Sequence, residues 1–376
     1  MREKRKKRKW FLPKPFVITA LASLAVALMF LMLAKTVASD LYDQQAARIW
    51  ETDGEDAMRY TQISVFTARG MGLGYDGLMK LRYDIDQQYV EDGISSTSTE
   101  EKPARLWIDA ASAESTITVS RDNVIATASV TAIIGDYFLF HPLRMMSGQY
   151  INPNEVSKDI VLLDWNAAWR LFGGYDVEGM QVEIFGQPCI VGGVFEKDEG
   201  DISENRIIMS YELLERVSGA AELSVLEFIL PNPVSGHGIQ TLEKHVGVSE
   251  ENRVMVENSS RFKLQSLFEA VTDFGDTIAQ SKSIALPYNE NRARVAEFRG
   301  GVFLLLAVVF AILPATGAMW ALVKIYRRRS AFWQLVKAKI RKTERTQDDL
   351  QEIDGGALSA DNDDDDAQRV RGEDGN

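Results

Sequence analysis

Three glycines in "GLGYDG", Gly72, Gly74 and Gly77, have the spacing with which a dinucleotide pyrophosphate is held against a bare helix N-terminus. That chemistry also needs the helix to lead into a second parallel strand ending in an acid. Here the polar loop "EDGISSTSTEEKPA" follows instead, so these glycines are read as a tight turn. The run "DNDDDD", Asp361 to Asp366, is dense enough in carboxylates for calcium. An EF-hand loop begun at Asp361 would need glycine sixth and glutamate twelfth, where Asp366 and Gly372 stand, so the run is read as solvated charge. The histidines, His141, His237 and His245, make no close zinc spacing and are expected to be surface or capping residues. Cys189 is the sole cysteine, which excludes an intramolecular disulfide, and between Pro188 and Ile190 it reads as a small core residue. The sequence holds neither a G-x-S-x-G elbow nor a G-x-x-x-x-G-K-[ST] phosphate loop. No catalytic, cofactor-binding or metal-ligating residue is therefore assigned, the chain supplies no ATPase of its own, and it is not expected to be an enzyme.

The elements that would position any site are dominated by two apolar runs. "FVITALASLAVALMFLMLA", from Phe16, and "GGVFLLLAVVFAILPATGAMWALV", from Gly300, are long enough to cross a bilayer as helices. The first is longer than the core of a cleaved signal peptide, so it is read as a retained anchor. "MREKRKKRKW" precedes the first run and "KIYRRRS" follows the second, which puts both termini in the cytoplasm of a two-pass protein of the cell membrane. The expected organisation is a basic cytoplasmic N-terminus (1–15), a first transmembrane helix (16–37), an extracytoplasmic domain (38–299), a second transmembrane helix (300–324), a basic amphipathic juxtamembrane helix (325–342) and an acidic disordered tail (343–376). Pro314 in the second run is read as a proline tolerated within a membrane helix.

The formal net charge is −12, and within residues 38–299 acidic side chains outnumber basic ones. That balance argues against nucleic acid or anionic lipid as the external partner. Along this domain, "TQISVFTAR", "RLWIDA", "STITVS", "VIATASVTAII", "KDIVLLD", "RIIMS", "LEFILP" and "RVMVE" read as strands. "MQVEIFGQPCIVGGVFE" reads as two strands around a Gly-Gln-Pro turn. Helical periodicity runs through Leu78, Leu81, Ile85 and Tyr89, and shorter helices are expected at "WNAAWRLFG", "YELLERVSG", "GIQTLEKHVG" and "RFKLQSLFEAVTDFGDTIAQ". The mixture predicts an α+β domain of two lobes.

One stretch is unusually specific in shape. In "IIGDYFLFHPLRMMSGQYI", Ile133 to Ile151, a strand stops at Gly135, Asp136 is placed to cap one aromatic turn, Pro142 ends it, and Gly148 permits a reversal. With the following "DIVLLDWNAAWRLFGGYDVEGMQVEIFGQPCIVGGVFE" and "RIIMSYELL", this order resembles the extracytoplasmic core domain of MacB/FtsX-type ABC-transporter permeases. Asp136, Tyr137, Phe138, Gly148, Leu171, Phe172, Gly173, Gly179, Gly186, Gly193 and Val194 occupy matching positions. These are residues that make turns and fill cores, so the resemblance points to a scaffold.

The resemblance implies a noncatalytic, permease-like membrane subunit that couples movement of membrane helices to an extracytoplasmic domain, for export or signalling. Such permeases have three spans after this domain where one is read here. The implied partners are a separate ABC ATPase and a fuller permease subunit, within a homo- or hetero-oligomer in the lipid bilayer, with no nucleic acid and no cofactor. The alternative is a membrane-anchored binding or sensor module for a peptide, lipid or protein.

Overall fold

The computed structural model describes residues 13–50, 58–94, 105–153, 157–197, 205–219, 221–273, 275 and 284–369; for Ile49, Arg328 and residues 330–369 it describes the backbone alone. The basic segment 1–12, most of the polar loop before Arg105, residues 274 and 276–280 at the end of the helix expected over 261–280, and the last seven residues lie outside this range. The chain divides into two units, Leu28–Ala307 and the two terminal parts that flank it.

The larger unit is built on one sheet. In chain order its strands are β1 (Tyr60–Thr67), β2 (Ile108–Arg121), β3 (Val124–Gly135), β4 (Arg144–Gly148), β5 (Ile160–Asp164), β6 (Gln181–Ile184), β7 (Gln187–Glu196), β8 (Arg206–Ser210), β9 (Val225–Pro231) and β10 (Arg253–Glu257). They lie in the order β10-β1-β9-β2-β3-β8-β5-β7-β4, with β6 pairing both β2 and β7. The expected two lobes do not appear as two sheets: all ten described strands share one, with the long antiparallel β2–β3 hairpin near its middle. Its base carries β9 beside Ile108–Ser112, and its far end carries β6 at Val119 and Ser120. "RLWIDA" and "STITVS" are one strand, because the small residues between them stay paired: Ala113 faces Ala132 and Glu114 faces Thr131.

Alternation of side chains gives the sheet two different faces. On one, Ile63, Val65, Ala111, Val130, Ile207 and Phe228 form the main core. It is covered by α3 (Tyr75–Glu91), α5 (Trp165–Phe172), α6 (Tyr211–Ser218) and α7 (His237–His245). The helical spacing is borne out in α3, where Leu78, Leu81, Ile85 and Tyr89 are all buried. Helices α5 and α6 repeat one construction, in which the last residue of a strand caps the helix that follows. Asp164 Oδ1 accepts from the Ala167 amide at 2.7 Å, and Ser210 Oγ from the Leu213 amide at 3.2 Å.

The opposite face carries a smaller core of Ile108, Ile133, Leu162, Phe195, Ile208 and Ile229. It lies under α2 (Ala46–Trp50) and the one-turn helix α4 (Tyr137–Phe140). The aromatic turn forms as expected, but Asp136 makes no side-chain cap on it. Its Oδ2 instead accepts from Arg105 Nη1 at 2.7 Å, a stronger, charge-assisted bond. The reversing glycine is required: Gly148 has φ +70°, and a Cβ there would stand 2.2 Å from the Gly192 carbonyl oxygen. The β6–β7 turn is centred on Phe185 and Gly186, with φ of 53° and 78°, and not on Gly-Gln-Pro. Positive φ at both central residues matches the twist of a two-residue hairpin, so Gln187 and Pro188 already belong to β7.

The chain ends are helical. α1 (Lys14–Thr36) and the last helix, α10 (Tyr288–Arg369), each contain a segment apolar and long enough to span a membrane. Between them α8 (Asn258–Arg261) and α9 (Leu264–Thr272) follow β10. In the terminal unit Ser23 Oγ donates to the Phe310 carbonyl at 2.6 Å, and Gly317 leaves room for the Phe16 ring. Pro314 lies inside continuous helix. The helix also runs on to Arg369, through most of the tail expected to be disordered. Its residues 334–353 are rich in Gln, Leu, Lys, Arg and Glu, all good helix formers, which suits a continuing helix despite the charge.

Gly148→Ala in the full chain is expected to lower stability by about 3 kcal/mol, through the left-handed backbone and the contact with Gly192. Gly74→Ala, where a Cβ meets nothing within 4 Å, should change it by less than about 1 kcal/mol. Urea unfolding of the two variants side by side tests this contrast.

Candidate functional site: the sheet and stem junction

The described histidines do not converge. His237 and His245 lie on α7 against α3, His237 Nε2 3.3 Å from Asp92 Oδ2 and His245 Nε2 3.3 Å from Gln88 Oε1. Cys189 is buried, and burial pushes its thiol up to about 11, which suits an inert core residue. Gly72 belongs to packing: a Cβ there would lie 2.5 Å from the Leu223 carbonyl oxygen, while Leu73 bridges to Leu223. No cluster of three metal-ligating side chains occurs among the described residues.

His141 takes a capping position, as expected, because it ends α4 and its amide bonds the Tyr137 carbonyl at 2.9 Å. Its ring does more: 13% exposed, it lies on the second face of the sheet with its Nε2 against Glu227 Oε2. Glu227 projects from β9, where Ser64 of β1 stands opposite it in register and donates Oγ to Glu227 Oε1 at 3.2 Å. On its other side the ring meets Asn289 at the start of α10, with Asn289 Nδ2 3.0 Å from His141 Nδ1. These groups border a polar cavity of about 170 Å³, floored by Ser64, Ser112 and Thr131 and closed by Asp43, Tyr137 and Asn289. The sequence signal was available: Glu227 is the one charge in the apolar strand "VLEFILP", and such a residue needs a buried partner.

The cavity lies where both membrane-helix stems meet the sheet. After α1, Gln62 Nε2 of β1 donates to the Asp43 carbonyl at 2.5 Å. The stems also hold each other, since Arg292 Nη2 of α10 donates to the Asp40 carbonyl at 2.9 Å. Leu41, Ala293 and Ala296 pack beneath that bond with Val37 and Phe262. A buried ion cluster then fixes α10 to α8. Arg261 grips Glu290 with two bonds of 2.7 and 2.9 Å and Glu297 with a third of 2.9 Å, while Arg294 Nε reaches Glu290 at 2.8 Å. One turn further, glycines let α10 come close to α9. A Cβ on Gly300 would sit 3.0 Å from Leu267 Cδ2, and one on Gly301 would sit 2.4 Å from the Leu267 carbonyl oxygen.

Charge at the junction is coupled to folding. Burial would lower the pKa of His141, but the charge and hydrogen bond of Glu227, with Asp43 adding, outweigh it and hold the imidazole above its ordinary 6.5. Burial raises the Asp43 carboxyl, against the partial opposition of His141. For Arg261, burial is outweighed by Glu290 and Glu297, which hold the guanidinium firmly charged. The arrangement contains no nucleophile and base aimed at a common point. It is suited to fixing the geometry of two stems against a sheet.

Because its folded pKa is raised, the stabilisation from protonated His141 is complete below about pH 6.5 and is lost as pH rises through the folded value. Thermal unfolding of the full chain should therefore show stability falling with pH above about 6.5, and His141→Gln should flatten that slope. Arg261→Met leaves Glu290 and Glu297 buried with less compensation and should cost about 3–5 kcal/mol in urea unfolding.

Comparison with known proteins follows this geometry. The family described as "MacB-like periplasmic core domain" matches residues 19–236. The "Macrolide export ATP-binding/permease protein MacB" of Neisseria gonorrhoeae is 27% identical over 161 residues, which cover 41% of this chain and 22% of that protein. Its counterpart in Neisseria meningitidis serogroup A is 27% identical over 155 residues, covering 39% of this chain and 22% of that protein. The chain thus spans about a fifth of the length of these relatives. Among solved structures, the extracellular domain of the noncanonic ABC-type transporter YknZ from Gram-positive bacteria aligns with 52% of this chain and 99% of that one, at 17% identity and TM-score 0.37. The periplasmic region of MacB from Actinobacillus actinomycetemcomitans aligns with 53% of this chain and 89% of that one, at 15% identity and TM-score 0.38. With its match across more than half of its length, and two apolar helices flanking an extracytoplasmic α+β domain, the chain belongs to the MacB-like periplasmic core domain family.

Proposed function

We propose that this chain is a noncatalytic, permease-like subunit of a MacB/FtsX-type ABC assembly, in which displacement of the membrane helices is conveyed to the extracytoplasmic domain. The observation that carries this reading is the junction itself: the stems of both apolar helices are bonded to adjacent strands of one sheet, through Gln62 and Asp43 on one side and His141, Glu227 and Asn289 on the other. A helix fixed at its base by buried ion pairs passes on a tilt that a flexible linker would absorb. In this reading the ATPase and the further spans come from separate chains, both termini are cytoplasmic, and residues 38–299 face outward.

The polar cavity beside His141 favours a second reading, in which the domain captures a ligand and takes no part in transport. Affinity purification of the full chain from its native membranes in mild detergent separates the two. Recovery of an ABC ATPase together with a permease of more spans is expected; recovery of neither, with some other ligand enriched, would transfer the chain to the sensor class. Orientation has its own test. With Cys189→Ser as background, Ser235→Cys adds a thiol in the exposed turn before α7, and a membrane-impermeant maleimide should label it in intact cells. Labelling that appears only after lysis would reverse the assigned topology.

A further inference from the structure

A second cavity, of about 570 Å³, opens between the end of α1 and the start of α9. Three cations border it: Lys35 in the last turn of α1, Arg48 in α2, and Lys263 immediately before α9. No carboxylate is among its described lining residues, and Lys35, Arg48 and Lys263 form none of the ion pairs found among the described residues. The described wall is thus cationic with no acid to oppose it, and it calls for an anionic ligand.

Its level in the molecule narrows the class. Lys35 directly follows the first apolar run, and Gly300 and Gly301, which begin the second, lie against Leu267 of α9. Helix α9 exposes Leu264 and Phe268, one turn apart and next to Lys263. An exposed apolar pair beside a lysine is the pattern of a helix resting at the boundary of hydrocarbon and headgroups. With the two apolar runs spanning a bilayer, the cavity would open at the level of the phospholipid headgroups.

We propose that this cavity binds the phosphate-ester headgroup of an anionic phospholipid. The phosphate sits among Lys35, Arg48 and Lys263, and the acyl chains run along Leu264 and Phe268. The net acidity of the domain disfavours anionic lipid in general, so binding is confined to this local basic site. The inference does not depend on the transport reading, since a sensor of the same topology would hold the same headgroup; co-purification and lipid binding fail separately.

Native mass spectrometry of the full chain in neutral detergent, titrated with dioleoylphosphatidylglycerol or dioleoylphosphatidylcholine, tests it. One phosphatidylglycerol per chain is expected, preferred over phosphatidylcholine, and the triple variant K35Q/R48Q/K263Q should weaken it by about 100-fold at low salt. All three side chains are exposed, so the unfolding midpoint of the variant should match that of the parent. Glycerol 3-phosphate at millimolar concentration should fail to displace the lipid. Equal binding of both lipids, or undiminished binding by the triple variant, would overturn the site. Full displacement by glycerol 3-phosphate would reassign it to a soluble phosphate ester and overturn the lipid.

Discussion

A carboxylate removed from water must find compensation, and in this molecule two of them find it where the stem of α10 meets the rest of the domain. Glu227 rises from the middle of β9 and meets His141, whose other nitrogen faces the first turn of α10. Glu290 rises from α10 and is held by Arg261 of α8. Each ion pair joins parts of the chain far apart in sequence, so the folded sheet and the seated stem are each a condition of the other. The hydrophobic cores on the two faces supply the bulk of the driving force, but they are indifferent to where the stems attach. The charges supply that geometry.

The same division gives the two sides of the sheet different interiors. Its main core is apolar and covered by four helices, an arrangement that resists deformation because close-packed interiors have few alternative packings. The second face mixes a small apolar core with serine, threonine, glutamate and histidine around a cavity. Polar contacts of that kind, when each group keeps a partner, hold their members in one arrangement.

Much of this architecture was legible from residue patterns. The periodicity of α3, the strand-then-helix repeats ending at Gly173 and Gly219, and the turn glycine Gly148 follow from local rules that tertiary context did not override. The errors were local too. Asp136 was read as a cap because capping is a short-range preference, yet a guanidinium contributed by Arg105, distant in sequence, bound it more strongly. Phe185 at positive φ could not be foreseen, since the hairpin twist imposed it on a residue that does not prefer it. The junction was least visible of all. His141 and Asn289 are 148 positions apart, and nothing near either residue specifies the other; only the lone charge in β9 hinted that a partner had to exist.

The glycine pair at the foot of α10 carries one more consequence. Gly301 admits the Leu267 carbonyl to a depth that no larger residue allows, while Gly300 beside it lies against the Leu267 side chain and the next residue, Val302, is branched. A screw-like shift of α10 that put Val302 in the place of Gly301 would drive its side chain against that carbonyl, whereas the opposite shift would put Gly300 there. The helix is thereby keyed against α9 in one direction of threading, like a ratchet tooth on its pawl.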